Sequence, residues 1–245
     1  NCLIYRNSKE EMITDIMSES AELFLNSCPT DKPFCLSISF SSPHGSVSAS
    51  MFPEGEPDYK TAMTKPANQS RRLKHHPVYG NLYRNINIAI PSETAADPNL
   101  YIPNAVLNQS QRKITYNYSY TEEQCLEHHY RYYQLITGID RAVGQIVDSL
   151  QKHGFADNTV IIYTSDNGLL MGEYGMGGKG LLYDLTTKVP MFIYEPRLPA
   201  SKRGQSIDSF VLGIDITPTI LSYAGLKIPR LMQGKSLKKL IENPC

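Results

Sequence analysis

The sequence has no excess charge of either sign, no long apolar run and few cysteines, and each shortage excludes a class of protein. Lys and Arg number 24, as do Asp and Glu, so the 245 residues carry no net formal charge. Because a nucleic-acid binder is expected to be basic, we expect no nucleic-acid partner. No apolar run approaches the roughly 20 residues that cross a bilayer, so no membrane span is predicted. Five cysteines, none in a CxxC pair, argue against a disulfide scaffold and a zinc site.

The composition is that of a globular protein, and the periodicity predicts an α/β fold. Hydrophobic residues are 41% and charged residues 20%, a balance that supports a sizeable core. Capping-box pairs, Ser8 with Glu11 and Thr121 with Gln124, predict the starts of two helices. Continuous apolar strands that alternate with helices predict a mostly parallel sheet with helices on both faces. The predicted helices are 8–25, 121–153 and one from Thr217, and the predicted strands are 34–40, 160–164 and 189–194.

Residues 45–120 differ from the rest of the chain, because they are rich in Pro, Asn, Tyr and Ser and show little periodicity. So long an irregular stretch within a compact domain is usually a functional surface insertion. We therefore expect one domain over 1–245 that contains a long irregular insertion over 45–120, where substrate specificity could lie.

Polar residues follow two of the predicted strands. His44 comes just after the first, and Asp166 and Asn167 come just after the second. In parallel α/β sheets, ligands bind beyond the carboxyl ends of the strands, so these residues are predicted on one edge. The carboxylate of Asp166 and the amide oxygen of Asn167 are hard donors that suit Ca²⁺ or Mg²⁺. The alternative is a plain turn, since Asp-Asn-Gly is a good turn sequence.

A glycine-rich stretch over 172–180 contains Lys179. Glycines let backbone amides approach a tetrahedral oxyanion and the ammonium adds a point charge, so the stretch is typical of an oxyanion-binding loop. A flexible surface loop is the alternative. His44 could bind an anion or protonate a leaving group, although a single histidine is more often structural or merely exposed. His128 and His129 have no partner pattern and are expected at the surface.

Together these motifs resemble the sulfatase family. The resemblance covers roughly 34–44 and 121–240, and its ordered string is more specific than any single motif. It consists of Ser42-Pro43-His44, of Asp140, Val143, Gly144 and Gly154 on the long helix, of Thr164-Ser165-Asp166-Asn167-Gly168, Gly172-Glu173, Gly178-Lys179 and Tyr183-Asp184, and of Val189-Pro190 and Asp215-Ile216-Thr217-Pro218.

The resemblance implies an alkaline-phosphatase-like α/β fold and hydrolysis of sulfate esters with Ca²⁺, or Mg²⁺ in its place. It implies that Asp166 and Asn167 bind the metal and that Lys179 and His44 bind sulfate, with His44 as the general acid. The family's nucleophile is a formylglycine made within a C/S-x-P-x-R motif, which this sequence lacks together with the family's N-terminal Asp-Asp metal pair. The chain therefore resembles the central and later part of a sulfatase domain and is expected to be inactive alone.

The resemblance implies a sulfated small molecule or glycan as substrate, and a secreted, periplasmic or lysosomal protein. Two other functions remain open from the sequence. One is a phospho- or phosphonate-ester hydrolase of the same superfamily, which would keep the metal. The other is a non-catalytic relative that binds sulfated glycans without cleaving them.

Overall fold

The structure is a computed structural model, and it describes residues 3–6, 9–44, 81–91, 103–107, 122–179 and 181–243. Most of the predicted insertion over 45–120, together with Ser8 and Thr121, lies outside the described residues. The chain divides into two compact units. The first comprises Asn1–Gly154 and Asn167–Lys188, and the second comprises Phe155–Asp166 and Val189–Cys245.

The first unit begins with two short strands that run into a helix. Strand β1 (Leu3–Arg6) pairs antiparallel with β2 (Lys9–Met12), and helix α1 (Ile13–Ser27) follows at once. The predicted helix is therefore confirmed but starts five residues later. The predicted cap is wrong, because Glu11 lies in β2 and its backbone is paired with Ile4. Short helix α2 (Asn104–Leu107) also belongs to this unit.

Helix α3 (Glu122–Lys152) is 31 residues long and packs against α1. Its end at the left-handed Gly154 was correctly predicted. Small and polar side chains let the two helices approach. The Ser18 hydroxyl lies 2.6 Å from Gln145 Oε1, and Lys152 Nζ donates to Glu22 at 2.7 Å. The buried face of α1 has the 4-3-4 spacing of a helical stripe and consists of Thr14, Ser18, Ala21 and Leu25.

Residues 34–40 are not a strand, contrary to the sequence prediction. Their side chains alternate between half-buried and exposed, as they would in a strand, but no hydrogen-bonded ladder is assigned to them. An alternation of apolar and polar residues indicates an extended backbone with one buried face. It does not show whether a neighbouring strand is present to pair with it. The segment ends in a turn with a cis Ser42–Pro43 peptide bond, immediately before His44.

The segment 81–91 lies along α3 and is held there by side chains. Gln134 Nε2 donates to the Leu82 carbonyl at 3.1 Å. Both terminal nitrogens of Arg84 donate to the Glu127 carboxylate, at 2.5 and 2.7 Å, and Arg131 Nε donates to it at 2.6 Å. Burial raises the pKa of Glu127, but the two guanidinium groups outweigh burial, so this pKa is lowered. The carboxylate therefore carries its charge between two cations.

The first unit ends in a glycine-rich hairpin and a one-turn helix. Strand β4 (Leu170–Met171) pairs antiparallel with β5 (Gly177–Gly178), and helix α4 (Asp184–Thr187) follows. Leu170 and Met176 are buried together and are covered by Tyr174, Leu181 and Tyr183. The hairpin therefore has a small apolar core of its own.

The second unit contains the pair formed by β3 (Ile161–Thr164) and β6 (Met191–Tyr194), helix α5 (Ile216–Tyr223) and helix α6 (Lys238–Glu242). Helix α5 begins one residue before the predicted cap Thr217, because the Asp215 carboxylate holds the turn ahead of it through the amides of Leu212 and Lys235. The Thr219 hydroxyl accepts from the Leu237 amide at 2.8 Å, which joins α5 to the approach to α6.

All three strand pairs within the described residues are antiparallel, so the predicted parallel pairing is not seen there. Thr164 pairs with Met191 and Ile161 with Tyr194. A parallel neighbour needs a crossover that returns the chain to the other end of the strand. Within the described part of residues 165–190, the one-turn helix α4 is too short for such a crossover, and β6 starts beside the residue where β3 ends. Within the described residues, no helix is both long and apolar enough to cross a membrane.

Candidate functional site

Two of the predicted site residues contact each other in the first unit. Lys179 Nζ donates to Asn167 Oδ1 at 2.8 Å, and Asn167 Nδ2 donates to the Gly168 carbonyl at 2.8 Å. The second bond fixes which way the amide faces, so its oxygen points to the ammonium. Lys179 is exposed and Asn167 is half-buried. The pair thus offers solvent a positive charge held by a fixed dipole.

Gly168 lets the chain after Asn167 lie against α4. Its amide donates to the Thr186 carbonyl at 3.0 Å. A Cβ added at Gly168 would lie 1.9 Å from the Leu185 carbonyl oxygen, a distance that no real side chain tolerates. The glycine of Asp-Asn-Gly is therefore required by close backbone approach, which the sequence alone did not reveal.

The loop before Lys179 is an ordered turn, and its oxyanion-binding role stays a prediction. Gly172 has φ 117° and its amide donates to the Met176 carbonyl at 2.9 Å. Tyr174 has φ 58°, a left-handed conformation that is uncommon for a side chain of its size. The Glu173 carboxylate accepts from the Met171 amide at 2.6 Å. Backbone and carboxylate bonds therefore fix the path of the chain toward Lys179.

Helix α3 supports this loop through residues that the sequence analysis missed. The Cys125 thiol is buried, donates to the Met171 carbonyl at 3.4 Å and lies 3.6 Å from His129 Nδ1. Burial opposes the charged imidazole, but the contacts with Cys125 and the nearby Glu173 outweigh it, so the pKa of His129 is raised. Leu135 packs on Met171 in the same region.

The expectation that His128 and His129 lie at the surface was wrong. His128 is only 5% exposed, and burial, with the neighbouring charges of His129 and Arg131, lowers its pKa to about 4. The two residues follow each other on a helix whose opposite sides are both covered, and no motif in the sequence indicates that coverage. Their spacing from Cys125, one helical turn away, was the only available signal.

His44 and Asp166 are exposed, and their roles stay predictions. His44 lies in the first unit, where its amide donates to the Ser41 carbonyl at 3.0 Å. Asp166 follows β3 as the last residue of that stretch of the second unit, whereas Asn167 belongs to the first. A joint metal site therefore rests on their adjacency in the sequence.

The donor chemistry of Asn167 fits a hard cation. Its amide is oriented with the oxygen toward a positive group, which in this structure is the Lys179 ammonium. Asp166 and Asn167 both offer oxygen, the donor that Ca²⁺ and Mg²⁺ prefer. Among the described residues, no cluster of three or more His, Cys, Asp or Glu side chains could hold a metal ion.

Comparison with known structures defines the fold. The structure of BT4656 with its substrate D-glucosamine-2-N,6-O-disulfate superposes with a TM-score of 0.67 at 20% identity, over 97% of this chain and 54% of that one. This chain therefore shares its mixed helix-and-sheet fold, in part, with that structure.

Sequence comparison defines the family within that fold. The family description "Sulfatase" matches residues 2–226. N-acetylglucosamine-6-O-sulfatase of Bacteroides thetaiotaomicron is 27% identical over 94% of this chain and 46% of its own length. The extracellular sulfatase SULF-1 homolog of Drosophila melanogaster is 35% identical over 44% of this chain and 10% of its own length. The chain belongs to the sulfatase family and spans about half of the first of these relatives.

Proposed function

We propose that the protein containing this chain is a sulfuric ester hydrolase in which Lys179 binds the sulfate group. The observation that carries the proposal is the bond between Lys179 and Asn167, because it places an ammonium beside an oriented amide at the end of an ordered glycine loop. Membership of the sulfatase family supports the same reaction.

In the proposed reaction the residues of this chain bind and neutralise the substrate. The Lys179 ammonium contacts the sulfate group and its ester oxygen, on which negative charge develops as the bond to sulfur breaks. Asn167 holds that ammonium in place. His44 donates a proton to the leaving alcohol as general acid. The formylglycine nucleophile is supplied by a segment outside this chain.

The metal proposed for the site is Ca²⁺, with Mg²⁺ as the alternative. Asp166 and Asn167 would hold it with oxygen ligands, and when bound it supplies positive charge that stabilises the transferring group. The roles of Lys179 and His44 do not depend on which of the two ions binds.

Sulfated sugars are the proposed substrates, and a location outside the cytoplasm is the proposed setting. The relatives include an N-acetylglucosamine-6-O-sulfatase and an extracellular sulfatase homolog, and a structural neighbour was solved with a disulfated glucosamine. A sulfated glycan presents the tetrahedral anion that an ammonium and a glycine loop are suited to bind.

The proposal is tested by replacing Lys179 in the complete protein. Lys179→Ala should lower kcat/KM for a chromogenic sulfate ester by about 10²–10³, the usual cost of removing one preorganised contact to developing negative charge. Lys179→Arg should restore only part of it, because a planar fork differs from a compact ammonium. The thermal midpoint should stay near that of the wild type, since the side chain is exposed.

Lys188→Ala is the matched control. Lys188 is also exposed, and it pairs with Asp184 at the surface of α4, at 2.7 Å. Its loss should leave turnover unchanged. Near-wild-type turnover in Lys179→Ala would remove Lys179 from the site. Faster cleavage of a phosphate or phosphonate ester than of the sulfate ester would favour the other hydrolases of the superfamily.

A further inference from the structure

Thr186 lies between the two segments that bring Lys179 and Asn167 together. Its carbonyl accepts from the Gly168 amide, the residue after Asn167, at 3.0 Å. Its hydroxyl donates to the carbonyl of Leu181, two residues after Lys179, with the Tyr183 carbonyl as a second acceptor at 2.9 Å. Thr186 is only 5% exposed, so water does not compete strongly for these bonds.

Lys179 cannot fix the position of its own ammonium. Its side chain has four rotatable bonds and is exposed, and it stands between Gly178 and Gly180, which have no side chains to anchor the backbone. Leu181 is the first residue after Lys179 with a side chain, and it packs against the core formed by Leu170 and Met176. The bond from Thr186 to Leu181 therefore acts two residues after Lys179, where a side chain packs into this core.

We infer that Thr186 is a positioning residue that sets the placement of Lys179 relative to Asn167. This inference rests on the proposed function and deepens it. Thr186 holds the backbone after Asn167 and the backbone after Lys179. The 2.8 Å bond between Lys179 and Asn167 therefore depends on the position of this one residue. Because a shift of about 1 Å at a reacting group can cost a factor of 10² in rate, this support has a measurable effect on turnover.

A purely structural role would be to stabilise α4, and Thr187 distinguishes the two roles. The Thr187 hydroxyl donates to the same Tyr183 carbonyl, at 3.1 Å, but is exposed. It is thus a bond of α4 that reaches neither segment. Thr186→Val and Thr187→Val remove the same hydroxyl from neighbouring residues and keep the branched shape.

The experiment uses the complete protein and two measurements on each variant. The first is turnover of a chromogenic sulfate ester, with kcat and KM determined separately. The second is amide hydrogen exchange at Gly168, measured by mass spectrometry on the peptide that contains it. We expect Thr186→Val to lower kcat by about 10- to 100-fold with little change in KM. The variant keeps the backbone carbonyl that accepts from Gly168, but losing the hydroxyl bond to Leu181 should let this carbonyl shift and speed exchange at Gly168. Thr186→Ser, which keeps the hydroxyl, should recover most of kcat, and Thr187→Val should match the wild type.

Two results would overturn the inference. One is equal behaviour of Thr186→Val and Thr187→Val in both measurements. The other is faster exchange at Gly168 with unchanged kcat, which would make Thr186 a structural residue only. An inactive wild type would instead count against the proposed function. In that case, unaltered hydrogen exchange at Gly168 in Thr186→Val would still refute the connection from Leu181 to Gly168 through Thr186, and faster exchange would support that connection.

Discussion

Gly168→Ala should destabilise the protein more than its small change in size suggests. The added methyl group would lie 1.9 Å from the Leu185 carbonyl oxygen and close to the backbone of Thr186. These are backbone atoms of a one-turn helix, so no side chain can rotate away to make room. Either α4 or the chain after Asn167 must move, and the move lengthens the 3.0 Å bond from Gly168 to Thr186.

The expected cost is the sum of two effects. Forcing an extra methylene-sized group into a filled site typically costs about 1–3 kcal/mol. Losing one backbone hydrogen bond costs about 0.5–1.5 kcal/mol more. The free energy of unfolding should therefore fall by about 2–4 kcal/mol, which is a large part of the stability of an ordinary domain.

Gly144→Ala is the matched control, because the same methyl group meets open space. Gly144 lies inside α3, and a Cβ there has no neighbour within 4 Å. Alanine at an exposed helix position is favoured over glycine by about 0.5–1 kcal/mol. The two substitutions should thus have opposite signs in urea unfolding followed by far-ultraviolet circular dichroism. Equal urea midpoints for Gly168→Ala and the wild type would refute the close approach described for this turn.

Two further predictions concern the buried polar residues of α3. Burial lowers the pKa of His128 to about 4, so below pH 6.5 the unfolded chain binds a proton at this residue that the folded chain does not. The contribution of His128 to stability should therefore fall by about 2 kcal/mol as pH drops from 7 to 5, against the opposite contribution of His129, whose pKa is raised, and His128→Gln should remove that fall in urea titrations at the two pH values. Glu127→Gln should lower the free energy of unfolding by about 3 kcal/mol, because it removes the carboxylate that the buried Arg131 guanidinium shares with Arg84. Asp184→Asn breaks an exposed pair and should change stability by under about 1 kcal/mol, so an equal loss in both variants would contradict the buried-pair reasoning.

The elements that the sequence predicted well are those with local signals. Gly154 and Gly225 have positive φ just after α3 and α5, as the sequence pattern requires of a helix end. The apolar runs that became β3 and β6 were predicted to within two residues. In each case the residues that determine the element lie within a few positions of it, so the local sequence is enough to predict it.

The failures concern contacts between distant segments. The antiparallel pairing of β3 with β6 depends on where the chain between them travels, which strand composition does not encode. The burial of His128 depends on what covers α3, which the residues next to it in the sequence do not show. Lys179 and Asn167 contact each other, and the functional roles assigned to them, to His44 and to Asp166 stay predictions.

Two rows of residues on α3 contact two different segments, and this separation determines which segment tolerates substitutions. Cys125 and Leu135 contact the loop around Met171, whereas Glu127 and Gln134 hold the segment 81–91. At about 100° of rotation per residue, the mean directions of these two rows differ by about 130° around a helix about 46 Å long. The segment 81–91 can therefore vary in sequence, or be exchanged for that of a relative, while the row beneath Met171 is kept. Substitutions in the segment 81–91 should therefore leave unchanged the contacts of α3 that hold the glycine loop.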